Sequence, residues 1–205
     1  MTTSTNSRIV AGSLDTLSPN PEDWIFVDIG FSQKQKSCGI AIGDSRPRTI
    51  QYNRLFHEIS IEFLKHKPFL NLLIEAPLSV AFNTRGNPTG RSFEKRNADT
   101  RYWYDKAGPA TLLATMHLLR KISFEEIQIR TEIRLFEGFA SFKQKKGKSS
   151  HENDVEMLRE IALGRSTEGR YVDGEELKMD RNDILQSAFA VAGMNFGIPL
   201  AIVVE

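Results

Sequence analysis

The hydrophobic and polar positions divide the chain into short extended runs and four helical stripes. "WIFVDIGF" (Trp24–Phe31) is almost continuously apolar, with one acid, Asp28, in its middle. After the polar turn Ser32–Lys36, "SCGIAIGD" (Ser37–Asp44) alternates Cys38, Ile40 and Ile42 as core positions, which makes Cys38 a packed residue rather than a reactive one. Past "DSRP", "RTIQYNRL" (Arg48–Leu55) is a third extended run. Breaks this short predict antiparallel hairpins, because a parallel return needs a long crossover. "HEISIEFLKHK" then sets Ile59, Phe63 and Leu64 at helical spacing, and Pro68 stops that helix. "FLNLLIEAPLS" follows as a nearly all-apolar strand ending at Glu75, the pattern of a central parallel strand.

The second half continues the alternation. "ATLLATMHLLRKI" predicts a helix and "EIQIRTEIRLFEGF" one or two strands, with Glu137 read as a surface acid at a strand end in preference to a residue facing the same pocket as the other acids. Ser149 and Glu152 form an S-x-x-E capping box before "HENDVEMLREIAL". "DRNDILQSAFAVAGMNF" predicts a last helix carrying Leu185, Ala188, Phe189, Ala192 and Phe196 on one face, and "IPLAIVV" a buried strand. The fold class that results is α/β: a mixed five-stranded sheet, three antiparallel strands then parallel strands, flanked by helices.

Length and composition add boundaries to this picture. A chain of 205 residues fits one domain, read as 21–205, preceded by a flexible polar leader over 1–20 in which "IVAGSL" is a docked arm. The leader lacks an apolar segment, which argues against a secretory signal. No run approaches the roughly 18 apolar residues of a bilayer span. A cytoplasmic protein without membrane contacts is the expectation. The single cysteine excludes an intrachain disulfide framework and a cysteine-based zinc cluster. Net charge is +1, so partners have to be sought in local clusters. The clearest interruption runs over about 80–107, an insertion punctuated by Gly, Pro, Asn and Thr; a break that long inside a compact domain is a functional segment or a disordered one.

Four carboxylates stand out by position. Asp28 lies within the first strand, Glu75 ends the central parallel strand, and Asp180 and Asp183 open the last predicted helix three residues apart, on one face. Acids so placed can converge on one edge of a sheet, where open α/β sheets bind ligands. Oxygen-only ligands suit Mg²⁺ or Mn²⁺, and two such ions about 4 Å apart can activate water and stabilise a leaving oxygen. Each acid also has a plainer reading. Asp180 and Asp183 suit an N-cap and the N3 position, and Glu75 suits a strand end at the surface. Asp28, with Ile25, Phe26, Val27 and Ile29 around it, has the least reason to be acidic without a site.

The order β-β-β-α-β, with Asp in strand one, Glu ending strand four and D-x-x-D before a late apolar run, resembles the RNase H-like superfamily. "DRNDILQSAFAVA" is similar to the helix of RuvC-type resolvases. "EAP" (Glu75–Pro77), "FEGFASF" (Phe136–Phe142) and "KGKSSHENDVEMLRE" (Lys146–Glu160) resemble motifs of a family of predicted RNase H-like nucleases. The resemblance covers roughly residues 24–205. It implies Asp28, Glu75 and Asp183 as ligands of two Mg²⁺ or Mn²⁺ ions, with Asp180 a fourth ligand or an orienter of water. It also implies, by analogy with resolvases, a homodimer. His151 and Asp154, one turn apart on the capped helix, are further candidates. His151 could act as a proton shuttle or phosphate contact; both also suit a helix N-terminus through the dipole alone.

Arg85, Arg91, Lys95, Arg96 and Arg101 surround Tyr102, Trp103 and Tyr104, and cations interleaved with aromatics match single-stranded nucleic-acid binding. A solvated loop pinned by its aromatics is the plainer alternative. Lys143, Lys145, Lys146 and Lys148 add a second cationic segment. Together these features predict a divalent-metal-dependent nuclease that hydrolyses phosphodiester bonds of DNA or RNA. Two rivals share the fold pattern: a catalytically silent nucleic-acid-binding or regulatory module, and an actin-like nucleotide-binding protein suggested by "DIG" at Asp28–Gly30. The second rival needs a duplicated fold, for which 205 residues leave no room.

Overall fold

The apolar run around Asp28 becomes the middle of a large sheet. The computed structural model describes residues 8–30, 37–65, 67–103, 108–125, 131–140 and 150–205. The first strands are β1 (Ile9–Ala11), β2 (Trp24–Ile29), β3 (Cys38–Ile42) and β4 (Arg48–Ile50). Helix α1 (Tyr52–Phe63) follows, so the third extended run is shorter than its residues suggested and turns helical at Tyr52. Next come β5 (Phe69–Glu75), β6 (Ser79–Phe82), β7 (Pro88–Thr89) and the small hairpin β8 (Lys95–Arg96) and β9 (Asp99–Thr100). Helix α2 (Gly108–Glu125), β10 (Glu132–Phe139), α3 (His151–Ala162), β11 (Gly169–Val172), β12 (Ile184–Ser187) and β13 (Ala201–Val204) complete the described elements.

Among the described residues the main sheet has eight strands rather than five, in the order β11-β13-β10-β5-β2-β3-β4, with β1 also pairing β10. β2, β5, β10 and β13 run parallel to one another, whereas the β2-β3-β4 hairpins and β11 are antiparallel to their neighbours. The chain is therefore α/β, with a mixed sheet flanked by three helices. Strand alternation sorts the core into two layers. Ile25, Val27 and Ile29 join Leu70, Leu72, Ile74 and the apolar stripes of α1 and α2 on one face. Trp24, Phe26 and Leu73 join Val155, Leu158 and Ile161 of α3 on the other. Asp28 and Glu75 thus fall, by parity, on the α3 face. Among the described residues no helix is long and apolar enough to cross a membrane.

Over the residues described, the leader includes the docked arm that "IVAGSL" suggests. Ile9 is buried, Ile9–Ala11 pairs in parallel with Ile133–Leu135, and Trp24 Nε1 donates to Ser18 O at 2.8 Å. The apolar Ile9 and the free edge of β10 explain why "IVA" docks.

The largest difference lies in the last predicted helix. Ile184–Ser187 is a strand paired antiparallel with Ser79–Phe82, and only a short turn, Ala190–Ala192, follows before Gly193 at φ 73. The partner edge of β6 outweighs the helical spacing, and Asp180 and Asp183 bond their own turn instead of capping a helix. The α3 cap is also displaced by one residue: Ser150 accepts from Asn153 N at 3.2 Å, and Ser149 lies outside the described residues.

Candidate metal centre

Three carboxylates meet at the carboxyl ends of the central strands. Asp28 and Glu75 are register partners on the adjacent parallel strands β2 and β5, so their side chains leave the sheet side by side on the α3 face. The third comes from α3, whose apolar residues Val155, Leu158 and Ile161 seat it on the sheet and whose first turn carries Asp154 over the strand ends. One carboxylate oxygen from each of Asp28, Glu75 and Asp154 lies within 4.8 Å of the others. Asp28 and Asp154 are each only 5% exposed. Buried carboxylates this close repel one another unless a cation offsets them. An all-oxygen set of this kind fits a hard divalent cation such as Mg²⁺ or Mn²⁺.

Two contacts orient the acids. Ala140 N donates to Glu75 Oε1 at 3.2 Å, tying the end of β5 to the end of β10. His151, one turn before Asp154, places Nδ1 2.5 Å from Asp28 Oδ2. The hydrogen bond to Asp28 raises the His151 pKa above the usual histidine value, burial opposes the rise, and the charges of Asp28 and Asp154 add to it. α3 comes this close because Gly39, the register partner of Asp28, has no side chain. A Cβ there would meet His151 O at 2.5 Å and Val155 Cγ2 at 2.9 Å.

A cavity of about 400 Å³ opens beside the acids, with Pro77, Arg101, Tyr102, Trp103 and Thr111 among its further walls. Arg91 and Glu137 also line it, but as an internal anchor. Arg91 is 1% exposed and binds Glu94 and Glu137, with Nη1 2.5 Å from Glu137 Oε1 and 2.9 Å from Ser79 Oγ. Glu137 also accepts from Leu78 N and Ser79 N. Burial pushes the Glu137 carboxyl up, and Arg91 with the Leu78 N–H opposes it. Burial alone would lower the Arg91 pKa, but the charges of Glu137 and Glu94 hold it raised. Breaking such a pair from one side costs on the order of 3–5 kcal/mol. The network therefore fixes the turn after Glu75 and the start of the 91–103 segment to the sheet.

Of the acids expected from the sequence, Asp28, Glu75 and Asp154 come together, with His151 against Asp28. Asp180 and Asp183 do not join them. Asp183 Oδ2 accepts from Asp180 N at 3.0 Å, and Asp180 Oδ1 accepts from Asn182 N at 2.8 Å. These acids close a turn and line no part of the cavity. Arg91, expected as a phosphate contact, is consumed by its ion pairs. Glu137, expected at the surface, is buried at 1%. Arg85 and Arg96 are exposed on the β6–β7 turn and the β8–β9 hairpin, and neither lines the cavity. Arg101, Tyr102 and Trp103 do line it. Tyr104, Lys143, Lys145, Lys146 and Lys148 lie outside the described residues. Cys38 is buried, and burial pushes its thiol up, away from reactivity. Glu94 was not singled out by its sequence; an R-x-x-E pair beside buried Phe93 was the available signal.

Comparison of the chain with models of protein families, with curated proteins and with solved structures finds no match in any of the three.

Proposed function

We propose that the protein is a divalent-metal-dependent hydrolase of phosphodiester bonds, a nuclease of RNase H-like architecture. The convergence of Asp28, Glu75 and Asp154 at the carboxyl edge of the sheet, on the wall of a cavity, carries the reading. The strand order β4-β3-β2-β5-β10 supports it, since three antiparallel strands followed by two parallel ones is the arrangement the resemblance implies. So do Asp28 on β2 and Glu75 at the end of β5, the two strand acids that the resemblance implies; the third acid is Asp154 on α3 in place of the D-x-x-D pair.

Mg²⁺ or Mn²⁺ bound there, as one ion or a pair, would supply an activated water and offset the charge on the departing oxygen. The chain's own part is to hold the ligands and shape the approach. Asp28, Glu75 and Asp154 would be the ligands, each from a rigid element, which costs little reorganisation on binding. His151, 2.5 Å from Asp28, orients that carboxylate and can hold a proton at Nδ1 next to the reacting centre. Arg101 also lines the cavity and would face the phosphate's non-bridging oxygens.

The test is cleavage of end-labelled DNA and RNA oligonucleotides in Mg²⁺ or Mn²⁺. Asp28→Asn is expected to lower the rate by at least about a thousandfold, as removal of a group central to charge stabilisation does, while its circular dichroism spectrum is retained. Absence of cleavage by the wild-type protein with either ion, or equal cleavage by a folded Asp28→Asn variant, contradicts the proposal.

A further inference from the structure

We infer that the aromatic side of the cavity seats one unpaired nucleobase, so that the substrate is single-stranded nucleic acid. The inference takes its scissile phosphate from the hydrolytic reading above and names the substrate class of that site. Four observations carry it.

The first is size. About 400 Å³ lies toward the lower end of the roughly 300–1,000 Å³ typical of pockets for one small ligand. A nucleotide unit fits such a recess, and a base still paired to its complement does not. The second is depth. With Asp28 and Asp154 each 5% exposed, a phosphate reaches them only by entering the recess, which asks the strand to leave a duplex. The third is chemistry. Tyr102 and Trp103 are half-buried on one wall, and stacking on aromatic rings is how proteins hold bases without reading their sequence. Arg101 beside them is exposed, and its guanidinium meets Thr100 O at 3.2 Å, so its charge faces solvent and the cavity. Arg91, by contrast, is neutralised by Glu94 and Glu137.

The fourth is rigidity. The Tyr102 ring rests against Gly90, where a Cβ would run into it, and the main chain of Trp103 rests against Gly108 at the start of α2 in the same way. The Arg91–Glu94–Glu137 network anchors the segment just before them. The Tyr102 ring and the Trp103 main chain are thereby placed before any ligand arrives, which lowers the ordering cost of binding.

The experiment measures binding by the full chain in Ca²⁺, an oxygen-seeking ion that supports binding without requiring turnover. Fluorescence anisotropy compares a labelled mixed-sequence single strand with the same strand in a blunt duplex. The single strand is expected to bind at least about tenfold more tightly. Trp103→Ala and Tyr102→Ala should each weaken single-strand binding by about tenfold, and Trp103→Phe should retain most of it. A strand with a run of abasic residues should bind wild type about as weakly as Trp103→Ala binds the intact strand, with no further loss when the two are combined. Equal affinity for duplex and single strand overturns the inference, as does an unchanged affinity in folded Trp103→Ala. The two readings fail separately. Single-strand binding of this kind without cleavage in Mg²⁺ or Mn²⁺ supports the base seat and contradicts hydrolysis. Cleavage of blunt duplex as fast as of single strand supports hydrolysis and contradicts the base seat.

Discussion

The carboxylate of Asp28 has two uses. His151 Nδ1 holds it at 2.5 Å, and the same carboxylate faces Glu75 and Asp154. In metal-free protein the imidazolium is favoured by that hydrogen bond, so its folded pKa lies above the unfolded value near 6.5. The stabilisation is then fully present below about pH 6.5 and is lost as pH rises through the raised folded value. Urea unfolding in the presence of a chelator, from about pH 5.5 to about pH 9, should show this decline. His151→Gln should flatten it; an unchanged slope in that variant would contradict the assignment. A divalent cation at Asp28 competes with the imidazolium, so cation uptake should release a proton near neutrality. At this scale Asp28 was legible in the sequence because no surface role suits an acid among Ile25, Phe26, Val27 and Ile29. Glu137 was not legible: its role depends on Arg91, 46 residues away in sequence, and no local pattern announces that pair.

At the scale of elements, the site depends on how closely α3 lies on the β2-β3 hairpin. Gly39→Ala would set a methyl group 2.5 Å from His151 O, so either α3 lifts or β3 moves. Overpacking of this kind costs about 1–3 kcal/mol. Lifting α3 also separates Asp154 from Asp28. Denaturant unfolding should register the stability loss, and calorimetric titration should register Mn²⁺ affinity lowered by at least tenfold. Full stability and full affinity in Gly39→Ala would mean that this approach does not hold the site together. The elements that make the site were readable where periodicity and partner agree, as in the apolar β2 and β5 and the amphipathic α3. β12 was not readable, because Leu185, Ala188, Phe189, Ala192 and Phe196 repeat at helical spacing while Ile184–Ser187 is claimed by the edge of β6. The D-x-x-D before it has the same ambiguity. Two short acids bonding nearby backbone N–H groups make a turn as readily as a helix start.

Across the whole molecule, a parallel core of β2, β5, β10 and β13 is extended by antiparallel hairpins on one side and β11 on the other. The carboxyl ends of β2 and β5 point to the same edge, and Arg101, Tyr102 and Trp103 of the inserted segment reach the cavity there. That placement explains why residues from distant parts of the chain, Asp28, Glu75, Arg101 and Asp154, line one cavity. Mixed-sheet architecture could be read from the order of extended runs and helices. β1 and β11 could not, because Ile9–Ala11 and Gly169–Val172 are three and four residues long and gain their order only from the edges they meet. The choice among acids is the central claim, and Mn²⁺ anomalous diffraction tests it most directly. Anomalous density is expected between Asp28, Glu75 and Asp154, abolished in crystals of Asp154→Asn. Mn²⁺ held by Asp180 and Asp183, or no Mn²⁺ at the three acids at millimolar concentration, would contradict it.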